Sequence, residues 1–158
     1  MILRLVRPGD NQQLSKIIRS VMTDFGAVGA GFSIQDAEVD DMFGAYQIPR
    51  GNYFVVAKDD AVFGGAGIAP LLGGDPEVCE LKKMYFVPEI RGQGWGQKLI
   101  DVCLESARRH GFKLCYLETL KSMTAAQYLY LKNDFEPISR PLGKTGHFGC
   151  DAWFVKSL

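Results

Sequence analysis

The sequence lacks an excess of charge of either sign. Its 18 basic residues balance its 18 acidic residues, so no overall field draws the chain to nucleic acid or to an anionic membrane surface. It also lacks any apolar run close to the roughly 18 residues that a membrane-spanning helix needs. The charged start, "MILRLVRPGD", does not resemble a signal peptide. We therefore expect a cytoplasmic protein whose partners include neither nucleic acid nor membrane.

The few cysteines are not spaced for binding a metal ion. No pair has the C-x-x-C spacing, and apolar neighbours surround all of them, namely Cys79, Cys103, Cys115 and Cys150. We expect reduced, mostly buried thiols and no metal site. A chain of this length buries about 70% of its unfolded surface and needs no disulfide or metal for stability. Because repeats and linker-like segments are lacking, residues 1–158 are expected to form a single domain.

Hydrophobic periodicity predicts strands and helices along the first half of the chain. The segment "LRLV" predicts a short strand, and apolar residues at helical spacing predict a helix from Leu14 to Phe25. Residues Ser33 to Tyr46 predict a shorter, acidic helix. The segments "YFVVAK" and "AVFGGAGIAPL" flank the turn "DD" and indicate a hairpin, and "VCELKKMYFV" predicts a third long strand.

The second half predicts a helix between two strands. Apolar residues from Trp95 to Ala107 predict a helix that ends at "RRHG", and "KLCYLETL" predicts the next strand. A connection of this length makes the flanking strands parallel. Another helix, from Met123 to Asn133, is expected to begin at a capping box of Thr124 and Gln127, before strands around "FEPIS" and "CDAWFVK". The predicted fold class is α/β with a mixed, mostly antiparallel sheet.

The glycine-rich stretch "EIRGQGWGQKL" joins a predicted strand to a predicted helix. It is not a dinucleotide fingerprint, because counting from Gly92 and Gly94 places Gln97 at the third glycine position. It is not a P-loop, because no lysine of this stretch precedes Ser or Thr. Free amides at a helix N-terminus, with Arg91 beside them, suit a phosphate or pyrophosphate. The alternative is a tight turn without a ligand.

These residues resemble a known family, the GCN5-related N-acetyltransferases (GNAT). "RGQGWG" is similar to the signature that holds the pyrophosphate of acetyl-CoA, and "AAQYLYLKNDF" is similar to the family's next helix. The ending "TGHFGCDAWFVKSL" is similar to that of small bacterial members. The resemblance implies the GNAT fold, with six to seven strands and about four helices, and acetyl-CoA as cosubstrate.

The resemblance also implies roles for individual residues. Backbone groups of Met84, Tyr85 and Phe86 would contact the pantetheine arm, and Tyr130 would protonate the departing CoA thiolate. The pyrophosphate would lie on the glycine-rich segment, which comprises Arg91, Gly92, Gln93, Gly94, Trp95, Gly96 and Gln97. Two residues depart from the family pattern. Met123 replaces a frequent asparagine, and Asp134 replaces a glycine, which is tolerable because Asp can adopt the left-handed conformation.

An amine can attack a thioester only after losing a proton, so the site needs a base. Glu80 and Glu118 lie on predicted strands and are the candidates, with an ordinary salt bridge as the alternative for either. Strand alternation places Glu118 with Leu114 and Tyr116, and Glu80 with Lys82, Met84 and Phe86. The spacing of Glu80 from Arg91 resembles the family's usual base and favours Glu80. His147 is a conceivable base or substrate contact, although a loop histidine is more often neither.

The sequence thus predicts an acetyl-CoA dependent N-acetyltransferase acting on a primary amine of a small molecule, amino acid or polyamine-like, by direct attack in a ternary complex. The alternatives are a protein lysine or N-terminal acetyltransferase and a non-catalytic acetyl-CoA sensor. Retention of Tyr130 and Glu80 argues against the sensor. Pairing or exchange of the C-terminal strand would be a natural contact for a homodimer.

Overall fold

The computed structural model describes all residues, 1–158. A seven-stranded sheet forms its centre, in the order β1-β2-β3-β4-β5-β7-β6. Its strands are β1 (Ile2–Leu5), β2 (Asn52–Lys58), β3 (Ala61–Pro70), β4 (Val78–Phe86), β5 (Leu114–Thr119), β6 (Glu136–Ile138) and β7 (Ala152–Ser157). Neighbouring strands are antiparallel except β4 and β5, which are parallel as predicted from the helical connection. The mixed, mostly antiparallel sheet is therefore confirmed.

Four α-helices pack on the sheet: α1 (Asn11–Asp24), α2 (Met42–Ala45), α3 (Trp95–Arg109) and α4 (Thr124–Lys132). One hydrophobic cluster joins α1 and α2 to one face of the sheet, through residues such as Leu14 and Met42. A second cluster joins α3 and Tyr130 of α4 to the opposite face, through residues such as Leu99 and Cys103. None of the helices combines the length and the apolar composition that crossing a bilayer requires.

The prediction of one helix from Ser33 to Tyr46 is wrong. The segment forms two short 3₁₀ turns, Ser33–Gln35 and Ala37–Asp40, followed by the single turn of α2. Asp36 has an extended backbone, with ψ at 129°, and separates the two 3₁₀ turns. Its side chain and that of Glu38 both bind Lys83 of β4, so long-range ion pairing stabilises a broken segment that local propensity alone assigns to a helix.

The capping box predicted at Thr124 and Gln127 is also wrong. Helix α4 begins without a side-chain cap, and the Gln127 amide instead donates to the backbone carbonyls of Leu120 and Lys121. At the other end of α4, Asp134 has a φ of 62°, which confirms the left-handed conformation expected for the residue that replaces glycine.

The C-terminal strand is internal to the sheet. Strand β7 pairs with β5 along one edge and with β6 along the other. Pairing of the whole strand with a partner would therefore require strand exchange or displacement of β6, which pairs with residues Trp153 to Val155. Three of the cysteines, Cys79, Cys103 and Cys115, are buried as expected, and Cys150 is half-buried.

Candidate active site

A cleft opens where β4 and β5 separate. The two strands pair only from Val78 with Leu114 to Glu80 with Tyr116. Beyond Glu80, β4 stays paired with β3 as far as Phe86, while β5 pairs with β7 as far as Thr119. The side chains that line the cleft include Glu80, Lys82, Lys83, Met84, Tyr85, Glu118, Met123, Tyr130, His147 and Cys150. Both candidate bases and the candidate acid thus lie on one cavity.

A bulge in β4 accompanies the separation. Lys83 has a φ of 53°, and β4 carries one extra residue opposite the interval between Gly65 and Gly67 of β3. Because of the extra residue, the side chains of β4 beyond Lys83 point to the face opposite to the one that simple alternation predicts. Met84 and Phe86 pack into the cluster of α3, whereas Tyr85 packs into the cluster of α1.

The alternation prediction for β4 is therefore wrong beyond Lys82. Without the bulge, Met84 and Phe86 would share the face of Glu80, as the sequence suggests. With it, the consecutive residues Lys82 and Lys83 both reach the carboxylate of Glu38 on the α1 side of the sheet.

Glu80 is a buried carboxylate without a hydrogen-bond partner. The residue is 5% exposed, and the protein's hydrogen bonds and salt bridges do not involve its side chain. Burial raises the pKa of Glu80 above its usual value; the charge of Lys82 partly offsets this rise and that of Glu118 adds to it. A carboxylate in this state can accept a proton closer to neutral pH than an exposed one.

Glu118 differs from Glu80 because its carboxylate is fully engaged. It accepts hydrogen bonds from the Tyr116 hydroxyl at 2.8 Å and from the Thr145 hydroxyl at 2.9 and 3.0 Å. His147 Nδ1 lies 3.1 Å from Glu118 Oε2. As predicted, Glu118 lies on the same face of β5 as Tyr116. Its four contacts orient the side chain and occupy both carboxylate oxygens.

His147 bridges two carboxylates that are far apart in the sequence. Its Nε2 atom lies 3.0 Å from Asp36 Oδ2, opposite the contact with Glu118. Burial lowers the pKa of His147, but the hydrogen bonds with Asp36 and Glu118 outweigh burial and raise it to about 9. Burial raises the pKa of Asp36, but the contacts with His147 and Lys83 outweigh burial and lower this pKa to about 2. At neutral pH His147 is an imidazolium, which cannot act as a base.

The protonation of His147 also bears on metal binding. Ligand atoms of Glu80, Glu118 and His147 all lie within 4.8 Å of one another, close enough to share an ion. A protonated imidazole has no lone pair to offer, and both of its nitrogens already contact carboxylates.

Tyr130 is held in place by aromatic packing. Its ring lies 5.9 Å from that of Phe135 and 6.0 Å from that of Phe154, measured between centroids. Tyr130 is 6% exposed, and burial raises its pKa well above the usual value, so the hydroxyl keeps its proton at neutral pH. Met123, the departure from the family pattern, lies on the same cavity and accepts a weak hydrogen bond from Thr119 at 3.7 Å.

The glycine-rich segment presents unpaired amides at the start of α3. Gly92 and Gly94 have φ of 73° and 82°, and the amides from Gly92 to Gln97 donate no hydrogen bond within the protein. Gly96 serves a different purpose, because a Cβ there would lie 2.8 Å from Leu129 of α4. Free amides at a helix N-terminus attract anions.

The side chains of this segment mostly stabilise the segment itself. Arg91 donates to the Phe86 carbonyl at 2.8 and 3.1 Å, and Gln93 donates to the Glu89 carbonyl at 2.8 Å. Gln97 exchanges two hydrogen bonds with Asn133, and the Lys98 ammonium lies 4.2 Å above the Trp95 ring. The amides of the segment are thus its free polar groups, as the sequence predicted.

Two loops beside the cleft, residues 31–36 and 147–149, contact each other. Phe148 packs where a Cβ of Gly31 would lie, and Phe32 packs where a Cβ of Gly149 would lie. The Gly149 amide donates to the Gly31 carbonyl at 2.9 Å. Sequence reasoning missed Asp36 and the loop contacts; the glycines flanking Phe32 and Phe148 were the available signal.

Comparison with known proteins identifies the family. The family model described as Acetyltransferase (GNAT) family matches residues 15–135. Over 158 residues the chain is 39% identical to the uncharacterized N-acetyltransferase YjgM of Escherichia coli (strain K12), covering 99% of this chain and 95% of YjgM.

Solved structures show the same fold. An acetyltransferase from Streptococcus agalactiae has a TM-score of 0.84 at 20% identity, covering 99% of this chain and 98% of that chain. YncA of Salmonella typhimurium, solved with its cofactor acetyl-CoA, has a TM-score of 0.76 at 19% identity, covering 99% and 93%. Since the family model spans most of the chain and YjgM is similar along nearly all of it, the chain belongs to the GNAT family of acetyltransferases.

Proposed function

We propose that the protein transfers the acetyl group of acetyl-CoA to a primary amine of a small molecule, by direct attack in a ternary complex. One observation carries this proposal: β4 and β5 separate between the unpaired amides of the glycine-rich segment and the unpaired carboxylate of Glu80. A thioester lying in the cleft would have an anion site at one end and a base at the other. The structurally similar YncA was solved with acetyl-CoA.

The cofactor is proposed to follow β4 toward α3. Backbone groups of Met84, Tyr85 and Phe86 would bind the pantetheine arm, because β4 has no neighbour on the β5 side there. The amides from Gly92 to Gln97 and the dipole of α3 would bind the pyrophosphate. A bound pyrophosphate would lie close to Arg91, whose guanidinium is exposed while it binds the Phe86 carbonyl.

Glu80 is proposed to be the base. The amine binds as an ammonium, and Glu80 takes its proton directly or through one water. The neutral nitrogen attacks the thioester carbon and a carbon–nitrogen bond forms. The nitrogen then loses its second proton to solvent and the carbon–sulfur bond of the tetrahedral intermediate breaks, so the proton released from nitrogen balances the one delivered to sulfur. Glu118 is the weaker candidate, because its oxygens already accept hydrogen bonds from Tyr116 and Thr145.

Tyr130 is proposed to return a proton to sulfur as the thiolate leaves. Its hydroxyl keeps its proton at neutral pH, because burial raises its pKa. Tyr130 lines the same cavity as Glu80, so base and acid serve one reacting centre.

The deciding experiment measures CoA release from acetyl-CoA in the presence of small primary amines, of peptides with a free N-terminus or an internal lysine, and without an acceptor. We expect release with small amines at rates well above the hydrolysis background. Turnover of peptides alone would assign the protein to protein acetylation. Acetyl-CoA binding without turnover of any acceptor would favour a sensor.

A further inference from the structure

We propose that the acceptor is a small amine with a single positive charge and no carboxylate, because Glu80 alone among the ionic groups in and around the cleft forms no salt bridge. This inference rests on the proposed function and narrows it. It replaces the amino acid and polyamine acceptors suggested by the sequence with simple monoamines.

The charges around Glu80 pair among themselves. Asp36 Oδ2 lies 2.7 Å from Lys83 Nζ and 3.0 Å from His147 Nε2. Glu38 binds Lys82 at 2.8 Å and also contacts Lys83. Glu118 pairs with His147 at 3.1 Å.

This pairing leaves one negative charge over. The carboxylates are Asp36, Glu38, Glu80 and Glu118, and the cations are Lys82, Lys83 and His147. Each of the three cations and three of the four carboxylates has an ionic partner. The unpaired group, Glu80, lines the cavity, so an incoming ammonium restores neutrality there.

A second charge on the acceptor would be unfavourable in either sign. A second ammonium would find no free carboxylate and would meet Lys82, Lys83 and His147, all cationic. A carboxylate would approach Glu80 and Glu118, while every cation nearby already has its partner. Charges several ångströms apart in a partly desolvated site interact strongly enough to decide between substrates.

The remainder of the cavity suits a hydrocarbon body. The apolar residues that line the cavity include Met22, Ala27, Phe32, Leu120, Met123 and Ala126. An alkyl chain would bury apolar surface here without leaving a polar group unsatisfied.

Three six-carbon amines test the inference, since they differ only at the end remote from the reacting nitrogen. Hexylamine ends in a methyl group, hexamethylenediamine in a second ammonium and aminocaproate in a carboxylate. Aminohexanol, which ends in a neutral polar group, is the control for polarity. We expect kcat/KM for hexylamine to exceed that for the diamine and for aminocaproate by at least about tenfold. Equal or higher values for either charged competitor would overturn the inference.

Two variants should shift this preference in opposite directions. Glu38→Gln leaves Lys82 and Lys83 short of a carboxylate, so aminocaproate should improve relative to hexylamine by about threefold or more. Lys82→Met removes a cation, so the diamine should improve relative to hexylamine by a similar factor. Ratios within one variant cancel general losses of activity. Unchanged ratios in both folded variants would contradict the charge argument, and the wild-type comparison decides if a variant does not fold.

The two proposals fail in different ways. If no small amine releases CoA above background, the proposed function falls and this inference falls with it. If the diamine or aminocaproate is the preferred substrate, the acetyltransferase proposal stands and only the monoamine assignment is wrong.

Discussion

Two glutamates on adjacent strands have different chemistry because their hydrogen bonds differ. Glu80 is buried without a donor, and burial raises its pKa. Glu118 receives hydrogen bonds from Tyr116 and Thr145 and pairs with His147. Glu80 has no such donors, and its burial favours the protonated form, which supports its proposed role as the base.

Glu80→Gln should remove or flatten the acidic limb of the profile of kcat/KM against pH. In the wild type, kcat/KM should fall as the pH drops through the raised pKa of Glu80, because the protonated acid cannot accept the ammonium proton. Loss of the base should lower kcat/KM by about 10²–10⁴-fold. The measurement is a pH series with an amine of known titration, which contributes a limb of its own.

Glu118→Gln is the matched control. It should retain the acidic limb and mainly lower the stability, since it disrupts the contacts with Thr145 and His147. If Glu118→Gln removes the limb and Glu80→Gln retains it, the assignment is reversed. If both variants retain it, the limb belongs to neither glutamate and the assignment of Glu80 as the base is wrong.

Tyr130→Phe should lower kcat by about 10²–10⁴-fold, the usual range for a lost general acid, while CoA binding changes little. The ring keeps its packing against Phe135 and Phe154, so the melting temperature should stay close to that of the wild type. Tyr128→Phe, on the exposed face of the same helix, is the control and should retain full turnover. Wild-type turnover of Tyr130→Phe at saturation would assign the tyrosine to packing alone.

At the scale of elements, the proposed cofactor site lies at the junction of β4, the glycine-rich segment and α3. Gly92 and Gly94 adopt left-handed conformations that turn the chain into the helix, and Gly96 allows α3 to approach Leu129 of α4. The glycines therefore serve two purposes, exposing amides at the turn and permitting close helix packing.

Gly94→Asp should weaken CoA binding, because a carboxylate would enter the anion site. Gly94→Asn is the control, since Asn has nearly the same shape, tolerates φ of 82° and carries no charge. We expect the Asp variant to bind CoA at least about tenfold more weakly than the Asn variant, about 1.4 kcal/mol. Calorimetric titration of CoA measures this, with thermal melts to verify folding. Equal affinities in the two variants would place the pyrophosphate elsewhere.

At the scale of the whole molecule, His147 joins distant parts of the chain over the cleft. It contacts Asp36, 111 residues away, and Glu118 of β5. The packing of Phe148 on Gly31 and of Phe32 on Gly149 closes the same junction. Residues 31–36 and 147–149 are thus joined by the contact of His147 with Asp36 and by the packing of two phenylalanines against glycines.

This junction should make stability depend on pH. The pKa of His147 is raised from 6.5 to about 9 in the folded protein, so its contribution is complete below pH 6.5 and is lost as the pH rises through 9. The pKa of Asp36 is lowered from 3.8 to about 2, so its contribution is complete above pH 3.8 and is lost as the pH falls through 2. Glu118 and Glu80 also face His147 and favour its charged form.

His147→Gln should therefore be most destabilising between pH 3.8 and pH 6.5, where the contributions of Asp36 and His147 are both complete. Loss of hydrogen bonds between charged groups costs about 1.5–3 kcal/mol. The difference in melting temperature from the wild type should be largest near pH 5–6 and should shrink toward pH 9. Asp36→Asn should show a smaller decline, because Asp36 also pairs with Lys83 and that contact does not depend on the proton of His147. A difference that stays constant from pH 6 to pH 9 would show that His147 is not charged in the folded protein.

The sequence by itself determined most of the elements and the glycine turn with its unpaired amides before α3. Periodicity predicted α1, the β2–β3 hairpin and the β4–α3–β5 unit, because side chains a few residues apart decide which face of an element is apolar. Gly92 and Gly94 predicted the turn into α3, because a left-handed backbone is a local requirement. The family resemblance supplied the candidate roles of Glu80 and Tyr130. The structure places both residues on one cleft.

Only the tertiary structure decided the ionic state of the cleft. The bulge at Lys83 turned Met84 and Phe86 to the other face of the sheet. The sequence predicted one helix from Ser33 to Tyr46, but this segment is broken where Asp36 and Glu38 pair with Lys83. Whether a carboxylate is paired, as Glu118 is, or free, as Glu80 is, depends on groups that lie distant in sequence and within a few ångströms in space. Electrostatic interaction and burial depend on spatial distance, which local sequence patterns do not encode.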